Sequence, residues 1–107
     1  MKKFLIKASY NAQGIKKLIE DGGPKRRSAI EKMLTELGGK MESFYFSMGE
    51  YHVYVIAHLP NDISAAAVEL RINASGLVTI STSVLLSPEE IDAAIIQPVS
   101  YRAPGEK

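Results

Sequence analysis

The sequence predicts an α+β fold. Its elements run β-α-β-β-α-β with a short helix after them, giving a four-stranded antiparallel sheet with helices on one face. Three observations carry this reading. Residues 40–59 form two strand-like runs around Met48-Gly49-Glu50, rich in the Val, Ile, Tyr and Phe that suit a pleated, packed surface. Residues 3–10 alternate, with Phe4, Ile6 and Ala8 pointing one way and Leu5, Lys7 and Ser9 the other. Ile30, Met33, Leu34 and Leu37 recur at i, i+3, i+4 and i+7, the core-facing stripe of a helix.

The remaining elements follow in order. Asn11 suits the N-cap of a helix beginning near Ala12, with Ile15, Leu18 and Ile19 as its apolar stripe and Gly22-Gly23-Pro24 as its end. A second helical segment starts at about Pro24, a residue favoured in a first helical turn, and Gly38-Gly39 stops it. The hairpin then spans roughly 40–48 and 50–59, with Gly49 supplying a positive-φ position in a tight turn. Asn61 or Asp62 caps the next helix, whose expected apolar face is Ile63, Ala66, Ala67, Leu70 and Ala74. Ala65, Val68 and Ile72 are apolar too, so this helix should pack on more than one side. Gly76 ends it, Leu77–Leu86 is the fourth strand, and Ser87-Pro-Glu-Glu90 opens a short acidic-first helix that stops before Pro98. The expected organisation is one domain over 1–97 and a tail over 98–107. The order of elements matches the split βαβ, or ferredoxin-like, arrangement.

Composition narrows the functional classes. A chain of 107 residues, 46% hydrophobic and 23% charged with net charge +1, can bury a core and has no general drive toward nucleic acid or an anionic membrane. Lys7 breaks the first apolar run after three residues, too early for a secretory segment, and no stretch approaches the roughly 18 apolar residues of a bilayer span. A cytoplasmic location is expected. The absence of cysteine excludes disulfides, thiolate nucleophiles and thiolate-bound metals.

Period-two sorting also assigns the two faces of the sheet. One collects Phe4, Ile6, Ala8, Phe44, Phe46, Tyr51, Val53, Val55, Ala57, Val78, Ile80, Thr82 and Val84, and the helices should lie on it. The other mixes Lys7, Ser9, Tyr45, His52, Tyr54, Ile56 and His58 with serines and a threonine. A solvated face would carry more charge and a dry interface more Leu and Ile. Hydroxyls, phenols and imidazoles suit a surface enclosed by a partner but left partly wet. The expectation is a homodimer or higher oligomer whose sheets face each other around a polar cavity, a module that holds a small organic ligand or completes a larger assembly.

Lys7, Tyr45, His52 and Tyr54 are the candidate lining of that cavity. Arg26, in the Lys25-Arg26-Arg27 cluster, is a candidate anion contact at a helix start. His52 and Tyr54, two residues apart, lie about 6–7 Å from each other, close enough for one pocket and for proton transfer on a small substrate. In an enzyme, His52 would accept the proton while Lys7, Tyr45 and Tyr54 position the substrate. His58 sits roughly 20 Å from His52 along the strand, and neither histidine has an expected carboxylate neighbour, so no metal site is expected. No cofactor motif is present: Gly22-Gly23 lacks the rest of a phosphate loop.

The run Gly38-Gly-Lys-Met-Glu-Ser-Phe-Tyr-Phe-Ser-Met-Gly-Glu-Tyr-His-Val-Tyr-Val-Ile56 resembles the GYD domain family, named for a Gly-Tyr-Asp motif. The resemblance extends back through Gln13-Gly14-Ile15 and Pro24-Lys25-Arg26. Forward, it runs through Pro60-Asn61-Asp62, Gly76-Leu-Val-Thr-Ile-Ser-Thr82 and Ser87-Pro-Glu-Glu90. It implies a ferredoxin-like fold of the dimeric α/β-barrel type and no established activity. His52 stands where the family has the aspartate. The Gly49-Glu-Tyr51 hairpin and Gly76-Leu-Val-Thr-Ile-Ser-Thr82 are also similar to the effector-binding domain of leucine-responsive and asparagine-type regulators, a dimeric barrel that binds amino acids. Cofactor-independent oxygenases and isomerases on such barrels supply the enzymatic alternative, by analogy of fold alone.

Overall fold

A computed structural model describes residues 1–106; of the tail expected over 98–107, Lys107 lies outside the described residues. The chain runs β1 (Lys2–Tyr10), α1 (Ala12–Asp21), α2 (Gly23–Glu36), β2 (Lys40–Phe46), β3 (Val53–Leu59), α3 (Asp62–Ala74), β4 (Val78–Leu85) and α4 (Pro88–Ile95). The four strands form one antiparallel sheet in the order β2-β3-β1-β4. The α+β class and the antiparallel sheet with helices on one face are as the sequence predicts.

Local chemistry sets the helix ends. The Asn11 side chain accepts from the Gly14 amide and that of Asn61 from the Ser64 amide, satisfying first-turn donors that have no partner within the helix. Gly22, at φ 84°, breaks α1 from α2 in a conformation that costs glycine little. Ser87 and Glu90 form a reciprocal capping box on α4.

The core lies between the helices and one sheet face. Phe4, Ile6 and Ala8 of β1, Val53, Val55, Ala57 and Leu59 of β3, and Val78 and Ile80 of β4 meet Leu34 of α2 and Ala65 and Val68 of α3. Alternation is strict along β3, where every second residue is buried.

Four local expectations are corrected. First, β2 ends at Phe46 and β3 begins at Val53, so Ser47–His52 is a six-residue connection rather than a tight turn at Gly49. It is closed by the Ser47 amide donating to the His52 carbonyl at 2.8 Å, and Gly49 does not take positive φ. Second, Tyr51 therefore leaves the ladder and lies on the open face, its ring 4.7 Å beneath the Lys7 ammonium. Third, α3 turns Ala65 and Val68 to the core and leaves Ile63 and Leu70 80% and 71% exposed. Its apolar residues surround the helix, so spacing could not choose the buried side. Fourth, a β-bulge between Met41 and Ser43 changes the register of β2 and brings Glu42 beside His58, which does have a carboxylate neighbour.

No residue of α4 is buried, and Ile91, Ile95, Ile96, Val99 and Tyr101 are all exposed. The radius of gyration, 17.2 Å, exceeds the roughly 13 Å of a compact chain this long, and the longest dimension is 59 Å. The C-terminal segment is an arm that packs little on the other elements, and its apolar surface is exposed among the described residues.

Candidate functional site

The candidate site is the sheet face that no helix covers. Register places its side chains in rows across the four strands. Tyr45, Tyr54, Lys7 and Ser81 form one row, and Ser43, Ile56, Leu5 and Ser83 the next. A third row carries His58, Lys3 and Leu85. Leu5 and Ile56 thus make an apolar centre between a phenol–ammonium row and an ionic one.

Aromatic and cationic groups organise the first row. Lys7 Nζ lies over the Tyr51 ring, a favourable placement of a cation on an aromatic face. Tyr51 meets Tyr54 edge to face with ring centroids 6.2 Å apart. Tyr45, directly opposite Tyr54, is 70% exposed. The phenol hydroxyls of Tyr45, Tyr51 and Tyr54 and the Lys7 ammonium make no hydrogen bond to any described residue. They form a group of unspent donors.

The ionic row is satisfied internally. Glu42 Oε1 lies 2.8 Å from His58 Nε2 and 3.3 Å from Lys3 Nζ. The His58 hydrogen bond, then that of Lys3, holds the Glu42 carboxyl below its usual range. The three groups are partly exposed and bridge β2, β3 and β1.

His52 and Arg26 sit elsewhere. His52 lies just outside β3, where its Nδ1 accepts the Tyr10 amide at 2.9 Å and its own amide donates to the Ala8 carbonyl at 2.8 Å. With Nδ1 an acceptor, the neutral ring carries its proton on Nε2 and can only donate there. The ring also packs against Tyr10, centroids 5.9 Å apart. Tyr10 belongs to the helix-covered side, and its hydroxyl accepts from Arg26 Nε at 3.3 Å. The five candidate residues therefore divide: Lys7, Tyr45 and Tyr54 share the open face, Arg26 lies on the opposite side of the sheet, and His52 closes the strand end between them. Tyr51 and Glu42 join the open face without a signal in strand parity, because their positions depend on the irregular connection and the bulge. Tyr10 ends the alternating run over 3–10, and nothing in that pattern announces its contacts to His52 and Arg26.

The family model for the GYD domain matches residues 4–95, from β1 to the last residue of α4. The chain belongs to the GYD domain family. No curated protein and no solved structure matches it. The GYD match includes α4, so the projecting helix is part of the domain the family shares. The structure also gives a physical account of the histidine at the motif's aspartate position. Nδ1 of histidine and Oδ1 of aspartate stand the same number of bonds from Cα, so either can accept the Tyr10 amide proton. At this strand end the acceptor is His52.

Proposed function

We propose that this GYD domain is a ferredoxin-like protomer of a homodimeric α/β barrel. The two open sheet faces oppose one another around a partly polar cavity that holds a small, acceptor-rich organic molecule. The observation that carries the proposal is the open face itself, where Leu5 and Ile56 lie beside four donors that have no hydrogen-bond partner among the described residues. Apolar area left in water is unfavourable by about 25 cal/mol per Å2, and an opposed second face would relieve it. The serines and phenols would keep the enclosed space wet enough for a polar guest. The order β2-β3-β1-β4 supports the ferredoxin-like part of this reading. The exposed isoleucines of α4 support the dimer, since an arm left uncovered by the described residues is free to pack on a second chain. Carbonyl and carboxylate oxygens are the groups that phenol and ammonium donors would meet.

Native mass spectrometry of the protein purified without denaturant tests both halves. The expected spectrum shows a dimer with a small bound mass that Tyr54→Phe weakens or removes without splitting the dimer. A dimer that carries no added mass and gains no thermal stability from small carboxylates or ketones would refute the ligand half.

A further inference from the structure

A second cavity system lies on the other side of the sheet, among the helices. An inner cavity of about 30 Å3 is bounded by Ile30, Met33, Phe44, Ile72 and Ile80, with Ala8 on its floor. An outer cleft of about 290 Å3 runs between α1 and the start of β4, with Lys17, Leu18 and Asp21 on its wall. Tyr10, Arg26 and Val78 line both, so they form the neck between them.

The neck is chemically specific. Arg26 is half-buried and spends its Nε proton on the Tyr10 hydroxyl, which fixes the guanidinium plane. Its other N–H groups have no partner among the described residues, and no described carboxylate lies within 4.0 Å of it. A half-buried guanidinium without a counter-ion is the group that a bidentate anion satisfies best. Lys17 also lines the cleft, its ammonium 3.8 Å from the Glu20 carboxylate. Asp21 is the one acid in its wall, and the Lys25 ammonium, 3.6 Å away, offsets it. Behind the neck the lining is almost wholly apolar, and such a space stays dry unless an apolar group fills it. Its size admits a short branch or a ring edge, not a long chain.

We propose that this neck binds a small organic carboxylate carrying a compact apolar substituent, with the carboxylate on Arg26 and the substituent in the inner cavity. The site lies on the face of the sheet opposite the one used by the dimer reading. Either can fail while the other stands.

The test is a chemical-shift titration of the 15N-labelled protein with isovalerate, acetate and isovaleramide. Isovalerate carries head and tail, acetate the head alone, and isovaleramide the tail with an uncharged head. Isovalerate is expected to move the amides of Tyr10, Arg26 and Val78, and to bind at least tenfold more tightly than either control. Arg26→Gln is expected to lose that preference over the amide. Ala8→Val, which fills the inner cavity with two added methyls, is expected to lose the preference over acetate while keeping acetate binding. Equal binding of acetate and isovalerate by the wild type would overturn the proposal, as would shifts confined to other residues. So would an Arg26→Gln protein that is folded by its own spectrum and still binds isovalerate with wild-type affinity.

Discussion

Replacing His52 separates an acceptor role from a chemical one. His52→Ala leaves the Tyr10 amide without its 2.9 Å acceptor in a partly buried position and removes the ring packed 5.9 Å from Tyr10. An unsatisfied donor of this kind costs about 1–2 kcal/mol, and a lost ring contact about 0.5 kcal/mol more. The total, about 2 kcal/mol, corresponds to a fall in Tm of roughly 8 °C for a domain of this size. His52→Asn and His52→Asp place an oxygen where Nδ1 stands, so each should recover most of the loss, leaving only the ring contact missing. Urea unfolding of the four proteins at a single protein concentration measures this directly, because association with a second chain makes stability concentration-dependent. An alanine variant as stable as the wild type, or an aspartate variant as weak as the alanine one, would refute the acceptor argument.

Other perturbations follow from the same structure. Leu34→Ala empties a position with 0% exposure at the centre of the core and should cost about 2–5 kcal/mol by urea unfolding, with the slope unchanged. Gly39→Ala sets a methyl against the His58 carbonyl and the Leu59 side chain, and circular dichroism melting should show a clear drop. Thr82 Oγ1 is buried without a hydrogen-bond partner among the described residues, so Thr82→Val should be neutral or stabilising by up to about 1 kcal/mol; a loss of that size would mean the hydroxyl is bonded. Acid should loosen α4 first. Hydrogen bonds from the Ser87 backbone and side chain hold the Glu90 carboxyl below its usual range in the folded state. The capping contribution is therefore complete at neutral pH and disappears as pH falls through that lowered value. Protection of the Glu89–Ile91 amides, measured against their intrinsic exchange rates at each pH, should fall as pH drops through that lowered value, and Glu90→Gln should flatten the response.

Much of this molecule is legible in its residues because local rules and tertiary packing agree. Asn11, Asn61 and Ser87 cap the helices they precede, and Phe4, Ile6 and Ala8 are buried as their alternation requires. Legibility fails where periodicity is broken or ambiguous. The Ser47–His52 connection is closed by hydrogen bonds that no composition rule anticipates, so Tyr51 changes face. One bulged residue brings Glu42 to His58. On α3 the alanines make both sides equally apolar, and only the shape of the sheet beneath selects Ala65 and Val68. The candidate site shows the same division. Lys7, Tyr45 and Tyr54 follow from strand parity, whereas the pairing of His52 with the Tyr10 amide depends on where β3 begins.

Sedimentation velocity on the wild type and on Ile56→Glu, over a wide concentration range, tests the enclosed sheet face most directly. The expected mass is twice the 11.7 kDa chain mass for the wild type, and the single-chain mass for a variant that keeps its circular dichroism spectrum. A wild-type protein that sediments as one chain throughout, with Lys7 and Tyr45 fully reactive to solvent-borne labels, would contradict it.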